Sequence, residues 1–303
     1  MGVRTYPVPD GLDGQRLDAA LARMLGVSRT RAADLVDHAR VTVDGDLLPK
    51  SARVSAEQWV EVTEPDSPGI PEPVMDLPVL HSDGDIVVVD KPVGMAAHPS
   101  PGWDGPTVVS ALARAGFQIA DVGAEERQGI VHRLDVGTSG VMVVAKSPRA
   151  YSALKRDFKQ RAVEKTYHAL VQGHPDPPAG TIDAPIGRDP RHTHRFAVVA
   201  DGRPSVTHYV TLEGHRYASL LEIRLETGRT HQIRVHMAAV HHPCCGDVAY
   251  GADPALTARL GLHRQWLHAV RLGFRHPGTG DTVAFSSPYP ADLAHALAQI
   301  RRG

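Results

Sequence analysis

Apolar positions set the first divisions of the chain. Leu17, Leu21 and Met24 recur at helical spacing after a turn-forming stretch at 10–13, and Ser28 is placed to cap a second helix running to about residue 39. Val41-Thr42-Val43 then runs into the turn pair Asp44-Gly45, and 58–62 alternates as a strand. Five prolines fall in the fifteen positions 64–78, which rules out helix or central strand there and predicts a stiff linker. Beyond it, strand patterns occur at 85–90, 141–145, 165–171, 206–212 and 218–225. Helical patterns occur at 149–160, at 230–240 with Ile233, Met237 and Val240 on one face, and at 291–301. Many strands with few helices between them predict an α+β domain around a largely antiparallel sheet, preceded by a small α+β unit. The expected boundaries are 12–63 for the small domain, 64–78 for the linker and 79–303 for the large domain.

Composition agrees with a globular chain: 303 residues, 42% hydrophobic and 22% charged. The longest apolar runs, such as 141–145, are far below the roughly 18 residues of a membrane helix, so no membrane association is expected. Residues 1–6 lack the layout of a secretory signal, and the two cysteines, Cys244 and Cys245, are neighbours that can form neither a disulfide framework nor a CxxC half-site. A cytoplasmic protein is expected, with the cysteines as buried packing residues and monomer as the default state. The formal net charge is −1, so any nucleic-acid binding must come from local clustering among the 33 Lys and Arg rather than from overall charge.

Two segments carry the chemistry. The first is Gly129-Ile130-Val131-His132-Arg133-Leu134-Asp135-Val136-Gly137-Thr138-Ser139-Gly140, a polar loop between strand-like flanks whose glycines permit tight turns. From residue type alone Asp135 is a nucleophile, a general base or a turn cap. The second is Thr227-Gly228-Arg229-Thr230-His231-Gln232-Ile233-Arg234-Val235-His236. Thr230 is the expected N-cap, which leaves Arg229 at a helix start, where it could hold a buried carboxylate ionised. His231, His236, His241 and His242 suggest a metal-dependent hydrolase, but His231 and His236 are five apart and no HExxH occurs, so no metal is expected. In the small domain, 16–53 holds seven Lys or Arg against five Asp. Arg16, Arg29 and Arg31 are the candidate phosphate contacts, the last two at a helix start.

Taken jointly, these segments resemble the RluA-type pseudouridine synthases. The resemblance extends to Asp90-Lys91-Pro92-Val93-Gly94-Met95 with His98-Pro99, to Lys165-Thr166-Tyr167-His168-Ala169-Leu170-Val171, and more weakly to 184–188 and 266–269. The small domain is similar to the S4 RNA-binding module in Arg16-Leu17-Asp18, Ser28-Arg29 and 41–45. The resemblance implies that Asp135 is the catalytic nucleophile, that Arg229 pairs with it, that Tyr167 lies against the target base, and that Arg133 fills the space left by the flipped nucleotide. It implies no cofactor, since uridine and pseudouridine have the same atoms. The implied partner is RNA, with large-subunit ribosomal RNA preferred because members bearing this module commonly act on it. Transfer RNA as substrate and a non-catalytic RNA-binding protein are the alternatives.

Overall fold

A computed structural model of the chain describes residues 2–25, 27, 29–64, 75–100, 103–122, 128–192 and 195–302. Two units are distinguished, Met1–Glu72 and Pro73–Gly303.

In the first unit, β1 (Gly2–Pro7), α1 (Leu17–Leu25), α2 (Arg29–Asp37), β2 (Val41–Val43) and β3 (Trp59–Glu64) follow in order. Leu17 and Leu21 of α1 and Leu35 and Val36 of α2 bury against the inward positions Val41, Val43, Val60 and Val62 of the strands. The strands form an antiparallel sheet in the order β1-β3-β2. Ahead of the expected start at residue 12, β1 pairs with β3 from Gly2↔Glu64 to Pro7↔Trp59. That strand carries little apolar alternation, Val3 being 58% exposed, and is joined through its main chain. The proposed cap Ser28 lies outside the described residues.

The second unit holds β4 (Val79–Ser82), β5 (Ile86–Lys91), α3 (Val108–Arg114), β6 (Ser139–Ala145), α4 (Pro148–Lys159), β7 (Glu164–Gln172), β8 (Ala179–Asp183), β9 (Ile186–Arg188), β10 (Phe196–Val198), β11 (Val206–His215), β12 (Ala218–Leu225), α5 (Gln232–Ala239), α6 (Pro254–Arg259), β13 (Leu267–Arg275), β14 (Thr282–Ser286) and α7 (Ala291–Arg302). Nine strands form one sheet in the order β4-β5-β6-β13-β7-β12-β11-β8, with β14 beside β13. Its pairings are antiparallel except that of β6 with β13. The continuous apolar runs of β5 and β6 are explained by burial on both faces. Val87, Val89, Met142 and Val144 pack with Val108 and Leu112 of α3 and with Ile233 and Met237 of α5. The alternate residues Ile86, Val88, Val141 and Val143 pack with Ala150 and Leu154 of α4. Ser147 caps α4 by accepting from Ala150 N, and Pro148 supplies its first turn.

Most of the expected linker, 65–74, lies outside the described residues. Its last part is not a linker: Met75 and Leu77 pack against the main core. Within α5 the expected apolar face was partly wrong, because Val240 is the exposed residue that follows the helix. Cys244 and Cys245 are free and fully buried.

Candidate active site

The loop that carries Asp135 runs into the first residue of β6, in the middle of the sheet. Its backbone is held from several sides. Thr138 N donates to Asp135 O at 2.9 Å and Gly94 N to Val136 O at 2.9 Å. Arg264, itself paired with Asp292, donates to Gly137 O at 3.0 Å, and Gln265 Nε2 donates to Thr138 Oγ1 at 3.2 Å. Gly140, at φ +120°, lies so close to β13 that a Cβ there would stand 2.2 Å from Ala269 O. Gly137 has a different use from the turn its type suggested: its φ is not left-handed, and a Cβ would meet the Gln265 amide at 2.6 Å. One glycine supplies an unusual dihedral and close approach, the other close approach alone.

His132 is a structural member of this loop. Its Nε2 accepts from Val143 N of β6 at 3.1 Å, and its ring stacks on Phe158 of α4 at 4.6 Å. Burial, assisted by the charge of Lys165, pushes it down to about 3, so the imidazole is neutral at physiological pH and free to accept. Lys91, at the end of β5 opposite Gly140, is fully buried and donates to Pro92 O at 2.9 Å and Met95 O at 2.8 Å. Burial pulls its ammonium down to about 7, against the favourable charge of Asp135.

The facing wall is α5 and the turn before it. Gln232 fastens that turn to β11: its Oε1 accepts from Thr227 Oγ1 (2.7 Å) and Arg229 N (3.0 Å), and its Nε2 donates to Val206 O and Thr207 Oγ1, both at 3.0 Å. The helix starts at Gln232 rather than at Thr230, and its N-cap is His231, in a left-handed conformation at φ 57° with no side-chain capping bond. This shift corrects the electrostatics expected of the site. Arg229 Nε turns to Pro204 O at 3.3 Å, while Arg234, in the first turn of the helix, places Nη1 3.8 Å from Asp135 Oδ2. Arg234 is fixed by a bidentate pair with buried Asp247 (2.6 and 2.9 Å) and lies over the Tyr250 ring at 4.7 Å. His231 adds Nε2 at 3.9 Å from Asp135 Oδ2, with its Nδ1 2.8 Å from the Tyr250 hydroxyl. Neither Arg234 nor His231 had been singled out for this position, although both lie in the quoted motif. The signal that selects them is the late helix start.

Tyr167, on β7, is 8% exposed, and burial together with the Asp135 charge raises its hydroxyl pKa. Asp135, Tyr167, Arg133 and Arg229 all line one cleft, together with Leu134, Leu225 and His231. Among the histidines considered as metal ligands, His236 sits between Thr207 Oγ1 (2.9 Å) and Ala184 O (3.0 Å), and His242 Nδ1 is 2.8 Å from Gln172 O. In the small unit Arg16 and Arg29 share the Asp18 carboxylate at 3.0 and 3.2 Å, and these guanidinium groups hold Asp18 down at about 2. The side chain of Arg31 lies outside the described residues.

A small α+β unit precedes a nine-stranded sheet whose central cleft is lined by both a carboxylate and a buried tyrosine, and the comparisons place this arrangement in a class of RNA-modifying enzyme. The chain matches the family model of RNA pseudouridylate synthase over residues 85–239 and that of the S4 domain over 15–60, and it belongs to the RNA pseudouridylate synthase family. It is thus an isomerase. It is 59% identical over 305 residues to an uncharacterised RNA pseudouridine synthase of Mycobacterium bovis, covering 99% of each chain. It is 42% identical over 304 residues to ribosomal large subunit pseudouridine synthase D of Nitrosomonas europaea, covering 97% of this chain and 87% of that one. Among solved structures, human RNA pseudouridylate synthase domain containing 1 matches with a TM-score of 0.57 and 31% identity, over 73% of this chain and 86% of its own. No described helix is long and apolar enough to cross a membrane.

Proposed function

We propose that this enzyme isomerises uridine in large-subunit ribosomal RNA, in the cytoplasm and without a cofactor, with Asp135 as covalent nucleophile. The observation that carries the reading is the position of the Asp135 carboxylate: in the cleft, 17% exposed, with the Arg234 and His231 nitrogens within 4 Å and Tyr167 lining the same space. A carboxylate beside a fixed guanidinium, at the wall of a cleft that admits a nucleotide, can serve as a covalent nucleophile. The reaction breaks N1–C1′ and forms C5–C1′; a proton leaves C5 and one is gained at N1, so atoms and charge balance with no outside reagent. Covalent attachment splits this exchange into two steps and retains the fragment while the base turns.

Tyr167 lies against the flipped base. Stacking on an aromatic ring contributes about 1 to 3 kcal/mol, comparable with the few kcal/mol needed to unstack the nucleotide. Arg133, exposed at the rim, fills the gap left in the RNA. Arg16, Arg29 and Arg31 contact phosphates from the small unit. The shared bond of the first two with Asp18 leaves that group of three charges with one net positive charge to offer. The ribosomal substrate is supported by the relative of that name, similar over 97% of this chain.

Asp135→Asn should reduce pseudouridine formation to background while the protein stays folded and still binds RNA; normal turnover by the purified variant would remove the nucleophile assignment. Mapping pseudouridines in the large-subunit RNA of cells with and without the protein tests the substrate, and an unchanged map would remove it.

A further inference from the structure

A groove leaves the Asp135 cleft on the side of α4 and shares five lining residues with it, among them Arg133, Tyr167 and Arg229. Its lining includes the cations Arg133, Lys155, Lys159, Arg161, Lys165 and Arg229 against the single carboxylate of Glu226, counted over the described residues. That carboxylate does not neutralise the lysines, since its oxygens are taken by Arg161 (2.8 Å) and His208 (2.9 Å). Lys155 is exposed and rests its ammonium 5.1 Å from the Tyr151 ring centre. Lys159 is in the last turn of α4, where a helix dipole favours a cation in any protein. Lys165 has no such explanation. It is half-buried on β7, two residues before Tyr167, and its ammonium makes no hydrogen bond or ion pair with any described residue. Burial and the nearby Arg161 push it down to about 8. The fully buried Lys91 has two carbonyl acceptors, so a half-buried, unpartnered lysine at the edge of the cleft stands out as a group that needs an anion from outside.

We propose that this groove seats the sugar-phosphate backbone of the RNA strand adjoining the target uridine, with Lys165 on the phosphate nearest the flipped nucleotide and Lys159 and Lys155 on the phosphates beyond it. The seat deepens the reading of the chain as an RNA pseudouridine synthase and rests on it. Its chemistry is that of a phosphodiester chain: repeated single negative charges, arriving along an open groove that continues into the cleft where the base is inserted. Lys165 stands between groove and cleft, lining the first and lying two residues along β7 from Tyr167, which lines both. Filling the groove and inserting the base are thereby coupled through one short piece of strand.

The test uses full-length protein and a fluorescent single-stranded oligouridylate, with affinity measured across a salt titration. Each phosphate contact with a single strand contributes about 0.7 to the slope of log K against log salt. Lys155→Gln, Lys159→Gln and Lys165→Gln should each lower the slope by about that amount. The triple variant should bind on the order of 100-fold more weakly near 0.1 M salt. Lys165→Arg should keep the slope, which separates lost charge from a disturbed β7. Arg301→Gln, in α7 and paired with Glu213, serves as the control and should not move it. A triple variant with the wild-type slope overturns the seat. If the wild-type enzyme still isomerises uridine in that case, the function stands without the groove. If the slope falls as expected but no RNA uridine is ever isomerised, the groove stands as an RNA seat and the enzymatic reading fails.

Discussion

Arg229 and Arg234 lie five residues apart in one motif, and they do different work. Arg234 is the partner of a buried carboxylate, Asp247, as well as the cation nearest Asp135. Arg234→Gln should therefore cost about 3 to 5 kcal/mol in urea denaturation, the usual penalty for stripping one partner from a buried pair. Arg229→Gln should cost less than about 1 kcal/mol, since its bond is to a backbone oxygen near the surface. The reverse order would place the site's cation on the wrong residue. The motif could not separate the two, because the choice depends on whether the helix begins at 230 or 232, and His231 enters it in a left-handed conformation that residue type does not announce. Asp135, Tyr167 and Arg133 were legible as residues that meet, because long motifs bring them with their flanking strands. His132 gives a second prediction at this scale. Its folded value, about 3, lies below the ordinary 6.5, so between these values the unfolded chain binds a proton that the folded chain refuses. Stability should fall as pH drops through that window, by up to about 5 kcal/mol. His132→Gln, which keeps an acceptor for Val143 N, should flatten the acid limb of a stability–pH profile; an unchanged limb would show that His132 is not its source.

At the scale of elements, burial explains part of the legibility, although β13, mostly buried, was not among the expected strands. β5, β6, β7 and β12 were visible because apolar side chains on one or both faces leave a pattern in the sequence. β1 and β8 were missed because they are held mainly through main-chain pairing, β8 alternating between exposed and half-buried positions. The end of the β5–β6 pairing, where Lys91 lies opposite Gly140, is also where the loop of Asp135 joins the sheet, and Lys91 reports on it. Its folded value, about 7, lies below 10.5, so between the two the unfolded chain holds the extra proton and stability should rise with pH, by up to about 5 kcal/mol. Lys91→Met should remove that rise when the two proteins are compared by chemical denaturation from pH 7 to 10. Equal profiles for both would show that the ammonium is not buried as described.

For the whole molecule, the α+β class with a largely antiparallel sheet followed from counting strand and helix patterns. The single parallel pairing, β6 with β13, did not, because it joins segments more than a hundred residues apart. The net charge of −1 had looked adverse to RNA binding, yet the groove beside α4 is strongly positive, so a slightly larger surplus of negative charge must lie on the rest of the chain. A body of that kind is nearly neutral at a distance and polarised close up. Its first effect is on the kinetics of encounter: RNA drawing near within a Debye length of about 10 Å at 0.1 M salt turns the molecule before contact is made. Stopped-flow association should slow steeply with added salt, whereas a flat association rate would mean the charges act only after docking. Beyond that range the same near-neutrality leaves little to draw the enzyme towards any polyanion, so attraction begins only once a strand is already near.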